Sequence, residues 1–111
     1  MTAAADIWFV YIVRCADDSL YTGIARDVQA RLQAHESGRG ARYTRSRGPF
    51  VLCAVRRCHS KGQALRLERS IKLLRKADKQ ALLRGRRLAA FARRCELERA
   101  ARAEGVPSKA A

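Results

Sequence analysis

The chain has 111 residues, with 24 Lys or Arg against 10 acids and a formal charge of +14. That length is one domain's worth, enough for a single modest core of two layers, so one globular domain and a tail are expected. The charge is uneven, since residues 51–111 carry +12 and residues 1–50 only +2. Most of the excess is arginine, whose planar fork suits phosphate, so a polyanion is the expected partner and nucleic acid comes first. On charge alone a membrane surface or ribosomal RNA stays open. Met1 to Asp6 hold no apolar leader and no run approaches a membrane span, so a cytoplasmic protein with no membrane partner is expected. Cys15, Cys53, Cys58 and Cys95 show no CxxC spacing and read as single buried thiols rather than disulfides or a zinc site.

Ile7 to Val13 is almost continuously apolar and rich in aromatic and β-branched residues, which predicts a strand buried on both faces and central in its sheet. Ala16-Asp17-Asp18-Ser19 supplies turn chemistry, and Leu20 to Ile24 resumes as a second strand, antiparallel to the first. With an odd number of loop residues, opposing positions sum to an even number, so Tyr11, Tyr21 and Gly23 share one face. Gly23 would leave an open floor for a ligand beside two phenols. Asp27 is placed to cap a helix running to about Ser37, closed by Gly38. On that helix Val28 and Leu32 would dock on the sheet, while Arg31 and His35, four apart, lean toward one point at its edge.

From Arg39 to Pro49 the chain is glycine-rich and basic, with Arg39, Arg42, Arg45 and Arg47 around Tyr43, a composition suited to phosphate contact and base stacking. Phe50 to about Arg56 reads as a third strand. Ser60 and Gln63 form a capping-box signature for a second helix extending to about Lys76. Ala64, Leu67, Ile71 and Leu74 trace its buried stripe. Glu68 lies on that stripe and is the only acid between His59 and Ala77. The basic stretch that includes Arg66, Arg69 and Lys72 is a further candidate nucleic-acid surface, or simply a solvated face. Asp78 to Arg84 predicts one more short helix, closed by Gly85, and Arg86 to about Glu104 an appended helix packing through Leu88, Phe91, Ala92 and Cys95. Gly105 to Ala111 is expected to be disordered. The expected division is therefore 1–85 as the domain and 86–111 as a basic helical extension.

Phosphodiester hydrolysis needs a base for water, a cation at the phosphoryl oxygens, and an acid or metal at the leaving oxygen. A single inward carboxylate can hold a hard cation such as Mg²⁺, which keeps most of its waters. Glu68 suits that role, although Lys72, four residues later, is also placed to pair with it. Arg31 can grip a phosphate through its fork. A phenol titrates near 10, but cationic surroundings favour the phenolate and make a tyrosine base credible.

Tyr11, Tyr21, Arg31 and Glu68, at intervals of ten, ten and thirty-seven, resemble the GIY-YIG nuclease superfamily, in particular its small standalone bacterial, YhbQ-like members. The resemblance spans about Trp8 to Leu83. Val10-Tyr11 matches the end of the first half of the name motif and Tyr21-Thr22-Gly23 the second; Arg31 matches a helix arginine, His35 a position holding His or Tyr, and Glu68 the ligand of one divalent metal. Phe9 stands where the motif has glycine, and Ile24 where some members have lysine.

The resemblance implies an α/β domain of α+β type, with a small, mainly antiparallel three-stranded sheet flanked by helices and the C-terminal helix added. It also implies a Mg²⁺-dependent endonuclease, with Mn²⁺ the alternative cation, and DNA is expected as the substrate ahead of RNA. Low sequence specificity, structure-directed selectivity and a setting in DNA repair go with it, and no protein partner is required. The expected roles are Tyr11 as the preferred base, closely rivalled by Tyr21, which also positions the water, with His35 as proton relay, Arg31 on the phosphate and Glu68 on the metal. The alternatives are a catalytically weak or inactive DNA- or RNA-binding module of the same fold, and a basic structural protein of a ribonucleoprotein.

Overall fold

The apolar run near the N-terminus becomes β1 (Trp8–Arg14), and its two-sided burial follows from its place in the sheet. The strand order is β2-β1-β3, with both pairings antiparallel, so β1 is central as expected. Val10 and Ile12 point to one side and Tyr11 and Val13 to the other, and all four are fully buried. A computed structural model of the chain describes residues 6–38 and 48–103. The loop residues Arg39, Arg42, Tyr43, Arg45 and Arg47, and the end of the chain from Glu104, lie outside the described residues.

The turn after β1 closes through the Asp18 amide donating to the Cys15 carbonyl at 2.9 Å and the Cys15 amide to the Ser19 carbonyl at 2.8 Å. Asp18 takes the left-handed conformation, φ 68°, which a short polar side chain tolerates better than most. β2 (Leu20–Ala25) then pairs with Tyr11 opposite Gly23 and Val13 opposite Tyr21, the parity expected of the hairpin. α1 (Val28–Glu36) starts where the Asp27 carboxylate accepts the Ala30 amide at 3.0 Å, and Gly38, at φ 78°, follows its C-cap. Val28 and Leu32 pack beside Tyr11, Val13 and Ala25 in a small core under this helix. The Glu36 carboxylate accepts the Phe50 amide at 3.0 Å, tying the end of α1 to the chain entering the third strand.

β3 (Val51–Cys58) runs two residues beyond the expected end. It is an edge strand, and its apolar side chains Val51, Leu52 and Val55 remain exposed. α2 (Lys61–Lys72) opens with the Ser60 hydroxyl accepting the Gln63 amide at 3.1 Å, while the Gln63 side chain reaches back to the His59 amide at 2.6 Å. Its stripe of Ala64, Leu67 and Ile71 covers Val10 and Ile12 in the larger core.

The expected continuation of α2 to Lys76 is corrected: the helix ends at Lys72, Leu73 is exposed, and α3 (Lys76–Ala81) begins earlier than expected. Turning there lets Leu74 stay against the core and brings Leu82 into it, which a straight helix would not do. Gly85, at φ 53°, separates α3 from α4 (Arg87–Ala103). Leu88 and Ala92 of α4 join the same core as α2, with Phe91 packed against it. All four cysteines are free thiols, Cys15 and Cys58 buried, Cys53 and Cys95 only half-buried. Among the described residues no helix is long and apolar enough to cross a membrane.

Candidate active site

Tyr11 projects from the central strand on the α1 side, directly across from Gly23 on β2. A β-carbon built at Gly23 would lie 2.6 Å from the Tyr11 Oη and 3.0 Å from the Tyr21 Cε2. The glycine is therefore a floor, but not the open one expected for a ligand: the Tyr11 ring lies on it. A phenol buried this way needs a hydrogen-bond partner for its hydroxyl.

That partner is His35. Its Nε2 is 2.8 Å from the Tyr11 Oη, and the imidazole is 2 % exposed. An exposed histidine at the helix end would be drawn toward the protonated form by the helix dipole. Here burial lowers its pKa first and the Arg31 charge lowers it further. Tyr21 packs edge-on to His35 with ring centroids 5.4 Å apart, and Tyr11 and Tyr21 are 6.4 Å apart. Phe50 closes the cluster at 5.7 Å from His35. The sequence marks Phe50 only as the start of a strand; no spacing pattern connects it to the tyrosines, and the link through Glu36 is visible only in the fold.

Arg31 on α1 and Glu68 on α2 both act electrostatically on Tyr11. The Tyr11 pKa is pushed up to about 12, first by burial and then by the neighbouring Tyr21; a hydrogen bond from Arg31 and its charge pull it down, and the Glu68 charge pushes it up. The expectation that cations would lower this phenol is thus corrected, because burial outweighs the guanidinium.

Glu68 sits on α2 beside its buried stripe with its side chain 18 % exposed, and Lys72 Nζ is 3.3 Å from its Oε2. The same ammonium lies 6.0 Å from the Tyr21 ring centre, so Lys72 stands between the carboxylate and the second phenol. Among the described residues no three His, Cys, Asp or Glu side chains gather into a metal cage. A lone, mostly buried carboxylate fits a hard cation that keeps its own waters, and Lys72, half-exposed, has room to yield to it. Arg66 and Arg69 are not at this site; they line a groove on the other flank of α2.

A family model described as the GIY-YIG catalytic domain matches residues 7–81, and those residues hold Tyr11, Tyr21, Arg31, His35 and Glu68. The chain belongs to the GIY-YIG family. It is 47% identical over 75 residues to a UPF0213 protein of Oceanobacillus iheyensis, covering 68% of this chain and 87% of that one. With a UPF0213 protein of Nitratidesulfovibrio vulgaris it shares 48% identity over 69 residues, 62% of this chain and 63% of the relative's length. Among solved structures it is similar to the solution NMR structure of the UPF0213 protein BH0048 from Bacillus halodurans, at 45% identity and a TM-score of 0.47, covering 69% of this chain and 82% of that one. Membership of the GIY-YIG family supports a nuclease-type function with a nucleic-acid substrate, and nucleases of this family generally use a divalent metal.

Proposed function

We propose that the chain is a divalent-metal-dependent endonuclease that hydrolyses DNA phosphodiesters with little sequence specificity, with Mg²⁺ the preferred cation and structure-directed repair the setting. The reading is carried by one observation: the Tyr11 hydroxyl is bonded to a buried, neutral-leaning imidazole while a guanidinium and a carboxylate act on that same hydroxyl.

A phenol with a pKa near 12 is not stored as phenolate at neutral pH. Tyr11, fully buried in the free protein, instead works as a relay once substrate binding opens a path for water to its Oη: the Oη then takes the proton of the attacking water as its own proton passes to the His35 Nε2. The water oxygen forms the new bond to phosphorus, the bond to the leaving oxygen breaks, and that oxygen takes up a proton from solvent. Tyr21, packed edge-on to His35, helps orient the water. Arg31 binds the non-bridging phosphoryl oxygens, where a planar fork is most effective. Glu68 would hold the divalent cation, whose contribution is to stabilise negative charge developing on the phosphate. Release of Glu68 from Lys72 leaves that ammonium near Tyr21, where it adds a phosphate contact.

Supercoiled and branched DNA incubated with purified protein in Mg²⁺, Mn²⁺ or EDTA tests the reading, with RNA in parallel. Nicking is expected with metal and not with EDTA; Tyr11→Phe is expected to lower it about 10²- to 10⁴-fold, the usual range for an acid–base group, and Glu68→Ala to lower it toward the level seen in EDTA. Equal nicking by wild type and both variants, or none by any, would sink the enzyme and leave a nucleic-acid-binding module of the same fold.

A further inference from the structure

On the flank of α2 away from Glu68, β3, α2 and α4 enclose a groove of about 640 Å³. At 3.6 residues per turn, Gln63, Arg66 and Ser70 lie to one side of the stripe formed by Ala64, Leu67 and Ile71, and Glu68 and Lys72 lie to the other. The groove and the tyrosine cluster thus share a helix but no residue. Seven arginines and two glutamates line it, and no lysine does, although the chain has five. Both glutamates are already engaged, Glu96 with Arg66 at 3.7 Å and Glu98 with Arg102 at 3.7 Å. Arg56 and Arg57 at the end of β3, Arg69 on α2, and Arg93 and Arg99 on α4 leave the walls strongly positive. Between them the surface is apolar, with Leu67 and Ala92 at the floor and Leu97, 72 % exposed, among the lining residues.

Arginine walls over an apolar floor fit a particular kind of polyanion. Guanidinium forks bind phosphate in pairs of hydrogen bonds and their planes stack on bases. The volume is that of a small-ligand site, room for about two nucleotides of an unpaired strand and none for a duplex. An acidic peptide would gain the charge attraction but has no flat rings for the floor.

We propose that this groove is a second nucleic-acid site that takes an unpaired strand, with phosphates against the arginine walls and bases over Leu67, Ala92 and Leu97. Its role follows from the nuclease reading: an unpaired arm held here presents the neighbouring duplex of a branched substrate to Tyr11, across α2. The binding itself does not depend on that reading.

The test is fluorescence anisotropy with the full chain in EDTA, so that cleavage plays no part. The probes are a twelve-nucleotide oligo(dT), the matching oligo(U) to assign the sugar, and a blunt duplex of the same length. Arg93→Gln/Arg99→Gln, two exposed positions on α4, is expected to weaken oligo(dT) at least tenfold and the duplex no more than about twofold. Its slope of log affinity against log salt should be shallower by about 1.4, that is about 0.7 for each phosphate the two guanidinium groups would otherwise neutralise. Glu98→Gln, which removes an acid from the wall, should tighten oligo(dT), and a thermal melt shows that each variant is folded. Unchanged oligo(dT) binding in the double variant, an equal loss for strand and duplex, or tighter binding of polyglutamate than of oligo(dT) would overturn the proposal. Groove-dependent oligo(dT) binding by a protein that nicks nothing would uphold it while defeating the nuclease reading.

Discussion

Tyr11 and His35 share a hydrogen bond, and burial governs the proton affinity of both. The imidazole is kept short of protons by burial and by Arg31, and the phenol is kept from losing its own by burial and by Tyr21. For His35 the folded pKa lies below the ordinary 6.5, so the unfolded chain binds more protons as the pH falls below that value. The stability His35 contributes is therefore fully present above pH 6.5 and is lost as the pH drops through 6.5 toward the folded pKa, at no more than about 1.4 kcal/mol per pH unit. Urea denaturation at pH 7.5 and 5.0 should show wild type losing more stability than His35→Gln over that interval. Nicking should fall over the same acid range, and Tyr11→Phe/His35→Gln should be no slower than either single variant, since a relay broken once is broken. Much of this set was legible in the sequence: two tyrosines, an arginine and a histidine cluster within twenty-five residues, and Glu68 stands alone on an inward stripe. The direction of the Tyr11 shift was not, because it depends on how deeply the ring is buried, and alternation along a strand tells which side a residue faces and not how much packs over it.

The β1–β2 hairpin carries the site at the level of elements. Its parity follows from the turn between Arg14 and Leu20, and Tyr11 opposite Gly23 with Tyr21 opposite Val13 is the result. Gly23→Ala should destabilise the protein by about 1–3 kcal/mol, the usual cost of overpacking, because the new methyl would meet a fully buried ring whose hydroxyl is already held by His35. Denaturant midpoints measure it. The helix caps at Asp27 and Ser60 were equally readable, since each is a local chemical signal with a local bond to match. The end of α2 was not. Leu73 to Lys76 contains no helix breaker, and the chain turns at Leu73 because the core it must cover, reached again by Leu82, lies behind it.

Over the whole molecule the charge of +14 is concentrated in its second half, much of it on α2 and α4, which lie on one side of the sheet. Such crowding repels itself, and mobile ions screen it within about 10 Å at 0.1 M salt. Raising NaCl from about 0.05 to about 0.5 M shortens that screening distance roughly threefold and should therefore raise the Tm by several degrees, checked by differential scanning fluorimetry. The same salt should weaken nucleic-acid binding, so stability and affinity move in opposite directions. Charge totals are plain from composition, whereas their division between a tyrosine site and an arginine groove on the two flanks of α2 emerges only once the helix is seated. The strand register has one more consequence. Because side chains alternate, a slip of one residue in β1 would turn Tyr11 into the large core and Val10 or Ile12 out of it. A chain that misthreads its hairpin therefore forfeits its solvent-excluding core together with its reactive phenol. On the proposed function, misassembled copies would be inert, and cleavage would come only from molecules that had finished folding.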